Sequence, residues 1–378
     1  MADARAEAVI DLDRMAANIL SLRSAMPQCA QMIVVKADAY GHGAIAASRV
    51  ARATGAEWLG VALPSEALAL RAAGDTGPIL AWLYVPGDPA VTECVAAGVD
   101  LGVGSLAGLD AVAAAAEQAG AVARIHLKVD TGLGRGGCAP AAWPDLVARC
   151  ASVRRLVDVV AVWSHLACGD EPGHESIDDQ IAVFGDAVAR ARGAGLEPRL
   201  LHLAASGAAL GRPDARFDMV RLGIATYGLT PGPHIAPPWP AGLDIAPVMS
   251  LRARVAAVKR VPAGHGVSYG LTWRAPRDTG LALIPLGYAD GIPRRAHGAS
   301  VLIGATRYPV VGRVAMDQFV VDVGGDDVAP GDDVVVFDDG GDDAPTADDW
   351  ASWCDTIGYE IVTRIGPRVP RRYVGGSA

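Results

Sequence analysis

The stretch MIVVKADAYGHGAIAASRVARATGAEWLGVALPSEALALRAAGDTGPILAWLYV, residues 32–85, decides the fold. It holds three short apolar runs: MIVVK (32–36), WLGVAL (58–63) and ILAWLYV (79–85). Between them lie Ala/Leu-rich stretches of helical length, such as SEALALRAAG (65–74). Runs that are apolar throughout, rather than alternating, fit strands buried on both faces of a parallel sheet. Working outward, the same rhythm continues through VDLGVG (99–104), RIHLKV (124–129), VVAVWSHL (159–166), LLHLAA (200–205) and MVRLGI (219–224). The longest intervening helix is IDDQIAVFGDAVARARGAG (177–195). Alternating strand and helix defines the α/β class, and eight such units predict a (β/α)8 barrel. Little helix follows the eighth run, which makes it the weakest member of the series.

Residues 231–244, PGPHIAPPWPAGLD, are rich in proline and mark a boundary. Beyond them the texture is β-rich, as in LALIPLGYA (281–289), VLIGATRYPVVGRVAMDQFVVDVG (301–324) and DVVVFDD (333–339). One helix is expected in ADDWASWCDTIG (347–358), opened by a capping box of Thr346 and Asp349. The expected domains are therefore a barrel over 1–240 and a mostly-β domain over 241–378. The early strand AVIDL (8–12) can join the second of these.

Of the 378 residues, 51% are hydrophobic and 20% charged, an ordinary globular balance. The net charge of −9 and the scattered basic residues argue against a nucleic-acid partner. The short basic cluster Arg364–Arg372, interrupted by prolines, reads as a solvated tail. None of the six cysteines has CxxC spacing, so reduced thiols are expected and no metal site. Neither a secretory signal nor an apolar transmembrane run is visible, which predicts a cytoplasmic protein.

In a barrel enzyme the chemistry sits where strands end at their C-terminal rim. Lys36 ends the first run. Lys128 and Asp130 end the fifth, with Arg135 close behind; His165 ends the sixth, Ser206 follows the seventh and Arg221 lies in the eighth. Cations and a histidine gathered on one apolar rim point to function, since each alone would need a partner to be buried. A lysine desolvated there becomes nucleophilic and can form an imine with an aldehyde cofactor. The turns around ASGA (205–208) and RLGI (221–224) offer backbone N–H groups to a phosphate, as barrels often do beyond strands seven and eight. A phosphate pocket facing a lysine suggests pyridoxal 5′-phosphate, although an aldolase-type lysine would look similar.

Against this background VVKADAYGHGA (34–44) resembles the cofactor-lysine motif of the alanine racemase family. The likeness continues in order through KVDTGLGR (128–135), SHLACGDEPGH (164–174), FDMVRLGIATYG (217–228), GVSYGLTW (266–273), GYADGIPR (287–294), GRVAMDQ (312–318) and IGYEIVTR (357–364). The resemblance implies that Lys36 carries the cofactor and acts as one base, with Tyr269 as the second. Racemisation needs a base on one face of a flat carbanion and an acid on the other, and the cofactor stabilises that carbanion. It further implies that Tyr269 meets His165, that His165 meets Arg221, and that Arg221 binds the pyridine nitrogen and leaves it unprotonated. Arg135 resembles the arginine beside the cofactor oxygen and the substrate carboxylate. Lys128 resembles a lysine carbamylated in many members, with an unmodified lysine beside an anion as the alternative. Tyr40, Ser206, Gly223, Ile224 and Tyr359 match phosphate-binding positions; Met316 and Asp317 match a substrate-binding loop; Tyr288, Asp290 and Arg294 match an entrance region. A homodimer is implied, in which Tyr269, Tyr288 and Met316 complete the other chain's site. The implied activity is interconversion of L- and D-alanine, supplying D-alanine for peptidoglycan.

Ala205, Leu222 and Ala315 stand where the family commonly has Asn, Pro and Cys. A racemase of serine or other small amino acids, and a decarboxylase on the same barrel, are the alternatives. The decarboxylase would not need Tyr269. His42 and His202 read as structural hydrogen bonders, His174 and His265 as surface residues, and Trp163 as core.

Overall fold

This computed structural model describes residues 5–235, 239, 242–296 and 298–376, so part of the proline-rich 231–244 stretch lies outside the described residues. Every one of the eight apolar runs forms a strand. They are β2 (Ala30–Val34), β3 (Trp58–Val61), β4 (Ile79–Ala81), β5 (Asp100–Val103), β6 (Ala123–Lys128), β7 (Val157–Trp163), β8 (Leu200–His202) and β9 (Met219–Leu222), preceded by β1 (Ala6–Asp11). Strands β2 to β8 pair in parallel with their sequence neighbours, and β9 pairs with β2. Between β8 and β9 a single bridge, Ala205 to Arg221, all but closes the barrel.

The interior is filled from strands on opposite sides. Met32, Trp58, Leu80, Val160 and Met219, from five strands, form one buried cluster separate from the layer under the helices. Glycines on two strands make the space. A Cβ on Gly60 would lie 2.7 Å from the Met32 sulfur, and one on Gly102 would lie 2.9 Å from the Trp82 Cβ. The thin helix after the eighth run is compensated from the N-terminus. Helix α1 (Leu12–Ala25) starts at Asp11, whose carboxylate accepts from the Arg14 N–H at 2.9 Å. It buries Met15, Ile19 and Leu22, each contributing about 1.5–3 kcal/mol. Its buried Asn18 ties the short turn Ile224–Tyr227 down by donating to the Thr226 and Ala246 carbonyls.

The second sheet contains β10 (Met249–Arg254), β11 (Ala257–Val261), β14 (Thr279–Ile284), β15 (Ser300–Ile303), β16 (Thr306–Val311), β17 (Phe319–Gly324), β18 (Asp333–Phe337) and β19 (Arg371–Val374); β12 (Gly266–Val267) and β13 (Trp273–Arg274) form a separate ribbon. Strand β1 joins this sheet between β10 and β19, giving nine strands in the order 11-14-17-16-15-18-10-1-19. The capping box forms as read: Thr346 Oγ1 accepts from the Asp349 N–H and Asp349 from the Thr346 N–H, opening helix Ala347–Cys354.

The basic cluster Arg364–Arg372 is not a solvated tail. Its end is β19, paired in parallel with β1. Arg371 donates to the carbonyls of Gly41, Ile365, Gly366 and Val369, and Arg372 makes a two-pronged pair with Glu7 at 2.9 Å. Charge density alone misled, because a guanidinium has five donors that can serve chain carbonyls as well as water. All six cysteines are free. No helix among the described residues is long and apolar enough to cross a membrane.

Candidate active site

At the C-terminal rim of the barrel lies a cavity of about 360 Å³. Ten of the residues expected at the site line it: Lys36, Tyr40, Lys128, Arg135, His165, Ser206, Arg221, Gly223, Ile224 and Tyr359. Lys36 stands two residues beyond β2, at the start of a left-handed turn. Ala37, Asp38, Ala39 and Tyr40 all have φ between 52° and 55°. Such a run is costly for residues with a Cβ, roughly 1–2 kcal/mol each, and marks a functional site that its surroundings must hold in place. Glu66 accepts from the Ala37 N–H at 2.6 Å and Asp38 from the Ala44 N–H at 2.7 Å. His42 Nδ1 donates to the carbonyls of Ala39 and Tyr40 at 2.9 and 3.0 Å. Nothing in the residues ADAY announces this geometry.

The electrostatics follow from burial among cations. Loss of water, then Arg135, pulls the Lys36 amine below the ordinary lysine range. Lys128 is pulled down to about 8 by burial and then by Arg221 and Arg135. His165 falls well below its usual value through burial and the same cations, which keeps it neutral. Burial lowers Arg221 to about 9, so it remains protonated at neutral pH. Its Nη2 donates to the Ser164 and Leu203 carbonyls and to His165 Nδ1, at 2.9, 2.9 and 3.0 Å, and its Nη1 to His202 Nδ1 at 3.1 Å. Because guanidinium only donates, His165 Nδ1 is the bare nitrogen and its Nε2 carries the hydrogen.

On the opposite wall Ser206 Oγ accepts from the Gly223 N–H at 2.9 Å. A Cβ on Gly223 would lie 2.4 Å from the Tyr40 hydroxyl oxygen, so only glycine lets that backbone into the cavity. Ala205 caps helix Ser206–Gly211 with no side-chain hydrogen bond, in keeping with the departure noted at that position.

The remaining expected residues do not reach this cavity within one chain. Tyr269 is 68% exposed and lines a different hollow, with Ser268 and Phe319. Tyr288 and Met316 are exposed as well. Their loops are locked together, the Tyr288 and Ala289 N–H groups donating to the carbonyls of Ala315 and Met316. Asp317 pairs with Arg368 at 2.8 Å. Arg294 lines a third hollow with Trp273 and Arg313. Asp290 is fully buried against Arg5 and Arg368, so within the chain it fastens a turn instead of lining an opening.

Sequence reasoning missed Trp82, which also lines the cavity. It stands in the middle of the ILAWLYV run, directly after β4, and an aromatic ring in an apolar run carries no signal of its own. Trp163 is buried as expected, yet it also floors the cavity, with Lys128 Nζ 4.7 Å and the Arg221 guanidinium carbon 5.1 Å from its ring centre. His202, read as structural, touches Arg221 directly.

A barrel with a desolvated lysine among arginines on its rim, joined to a β domain, defines a class of enzymes that work through a reactive lysine. Comparison with known proteins narrows the class. The model of the alanine racemase N-terminal domain matches residues 10–231, and that of the C-terminal domain matches residues 248–373. The alanine racemase of Frankia casuarinae is 51% identical over 375 residues, covering 98% of this chain and 97% of its own. The crystal structure of the alanine racemase from D-cycloserine-producing Streptomyces lavendulae superposes with a TM-score of 0.96 at 50% identity, covering 100% of this chain and 98% of that one. That of Streptomyces coelicolor gives 0.95 at 52% identity, covering 98% of each. The chain belongs to the alanine racemase family and is an isomerase, an amino-acid racemase.

Proposed function

We propose that the cavity holds pyridoxal 5′-phosphate on Lys36 and that the chain interconverts L- and D-alanine with two bases, its own Lys36 and the partner subunit's Tyr269, in a cytoplasmic homodimer that supplies D-alanine for peptidoglycan. The observation that carries this reading is the desolvated Lys36 amine facing a cradle of Ser206 and Gly223 across one cavity. The donor set fits the cofactor. The cradle suits a phosphate that tolerates no Cβ at Gly223. Arg221 meets protein acceptors, among the described residues, only from Nη1 and Nη2, which leaves Nε–H for a ring nitrogen.

When bound, the group supplies an electron-poor ring that stabilises the negative charge left when the substrate's Cα proton departs. Lys36, its amine pulled below the ordinary lysine range by burial and then by Arg135, takes or returns that proton on one face. The partner subunit's Tyr269 serves the other face. His165, fixed with its hydrogen on Nε2, can donate to that tyrosine's oxygen and favour its anion. Arg135, at the exposed lip of the cavity, offers its charge to the substrate carboxylate. Lys128, near 8, has enough uncharged amine at neutral pH to add carbon dioxide as a carbamate, which would set a negative charge close to Arg135.

Borohydride reduction followed by peptide mapping tests the assignment. The label is expected on Lys36, and Lys36→Arg is expected to lose both label and racemisation of alanine. A label on another lysine, or full activity in that variant, overturns the site.

A further inference from the structure

Behind Arg221 the barrel interior carries polar side chains that no step above uses. His202 Nε2 lies 2.9 Å from His126 Nδ1, and His126 Nε2 lies 3.1 Å from an oxygen of Asp100. Asp100 in turn accepts from Arg124 at 2.6 and 3.1 Å. The direction of every bond is fixed by its ends. Arg221 can only donate, so His202 must accept at Nδ1 and carry its hydrogen on Nε2. His126 then accepts at Nδ1 and donates from Nε2 to the carboxylate. Donor meets acceptor at each step, with both imidazoles neutral.

The rings are held against rotation. Trp163 stacks on His202 at 5.4 Å and 15°, and its Nε1 donates to the His126 carbonyl at 3.2 Å. Trp58 meets His126 edge-on at 5.1 Å. His126, His202 and Asp100 are fully buried. Asp100 opens β5, at the end of the barrel away from the cavity, where the Arg124 side chain is 38% exposed. The chain therefore runs through the barrel from the active-site rim to the opposite end.

We propose that His202, His126 and Asp100 are positioning residues for the racemase reaction. They hold the Arg221 guanidinium in one orientation and keep its remaining N–H aimed into the cavity, with Arg124 anchoring the far end. The proposal rests on the reading that Arg221 faces the cofactor ring. A residue at the far end of a barrel ordinarily serves stability alone. What separates the two roles is propagation. In Asp100→Asn, an amide that keeps its oxygen on Arg124 turns a donor toward His126. His126 and then His202 must shift their hydrogens to Nδ1, and the last of these meets an Arg221 donor. The reversed amide instead sets a donor against Arg124. That second orientation still accepts from His126 and leaves both rings as they are, so the variant that breaks the series whatever the amide does is His126→Phe, which removes the acceptor of His202 Nε2.

The experiment uses holoenzyme labelled with 15N-histidine, with long-range proton–nitrogen spectra assigned by single histidine substitutions. In the wild type both His202 and His126 are expected as neutral rings carrying hydrogen on Nε2. His126→Phe is expected to move the His202 ring nitrogens and to shift the visible absorption of the bound cofactor. Its kcat should fall roughly tenfold, the lower end for an outer-shell partner, with KM little changed. A wild-type His202 with hydrogen on Nδ1, or doubly protonated, overturns the proposal even if the variant does not fold. So does a folded His126→Phe protein whose His202 nitrogens and cofactor band stay in place. The Lys36 label tests the cofactor site separately, so the two readings can fail independently.

Discussion

His42 makes a quantitative prediction about acid stability. Its ring is fully buried and stacked on Tyr227 at 4.5 Å. Nδ1 donates to two carbonyls of the left-handed turn, while Nε2 has no partner among the described residues. Protonating Nε2 would bury a charge with no acceptor, and nearby Arg371 opposes it too. Burial accordingly takes His42 from 6.5 to about 4. As pH falls below 6.5 the unfolded chain binds this proton first. Stability is therefore full above that value, is lost as pH falls, and the loss levels off near pH 4. The whole window is worth about 3 kcal/mol, of which about 2 kcal/mol is gone by pH 5. His42→Asn keeps a donor near the Nδ1 position and removes the titrating group. Urea unfolding at fixed protomer concentration, from about pH 7 to about pH 5, gives the comparison. The variant should be the less stable protein at pH 7, having lost the stacked ring, but the gap should narrow by about 2 kcal/mol at pH 5. His126, His165 and His202 are shifted in the same direction, and they remain in both proteins, so they cancel in the difference. Parallel stability curves would refute the reasoning.

Two further outcomes are expected. Gly223→Ala brings a Cβ to 2.4 Å from the Tyr40 hydroxyl oxygen, in a ring packed against Tyr227 and Tyr359; overpacking of roughly 1–3 kcal/mol should weaken cofactor binding at least severalfold in an absorbance titration, and unchanged affinity would remove Gly223 from the cradle. If Tyr269 serves the partner's cavity, co-refolding the inactive Lys36→Ala and Tyr269→Ala chains in equal amounts should restore about a quarter of wild-type activity, because half of the two-fold dimers are mixed and each has one intact site; no recovery, with mixed dimers shown to form, would sink the shared site.

The barrel was legible because strands buried on both faces cannot alternate, so each left an unbroken apolar run. The rim cluster was legible because charge at the end of such a run needs a reason. Asp100, His126 and His202 interrupt the same runs, at VDLGVG, RIHLKV and LLHLAA. His202 reads from sequence as a structural hydrogen bonder, and Asp100 and His126 carry no strand-end signal, although a polar residue inside an apolar strand is the same kind of signal. The role of α1 as the missing eighth layer was hidden by distance: it is next to the Ile224–Tyr227 turn in space and about 200 residues from it in sequence. The fate of Arg371 was hidden by its composition. Long basic side chains on a short segment look solvated until the carbonyls they serve are in view.

The left-handed turn after Lys36 ties that lysine to both domains. Four consecutive residues with a Cβ in that conformation cost roughly 4–8 kcal/mol together, at 1–2 each, more than bonds from within the barrel would readily offset. The C-terminal segments supply the rest. Arg371 of β19 donates to the Gly41 carbonyl at 3.0 Å. Helix Gly358–Thr363 packs so closely beneath the turn that a Cβ on Gly41 would lie 2.5 Å from the Val362 carbonyl oxygen, and one on Gly43 would strike the Tyr373 hydroxyl. That same helix carries Tyr359 into the cavity. The two glycines of YGHG are therefore contact surfaces for the second domain as much as local turn residues. Lys36 is aimed by a strained turn that is clamped between Glu66 and His42 from the barrel and Arg371 from the β sheet. The β domain thus shapes its own chain's lysine as well as presenting Tyr269 to solvent, where a second protomer can meet it.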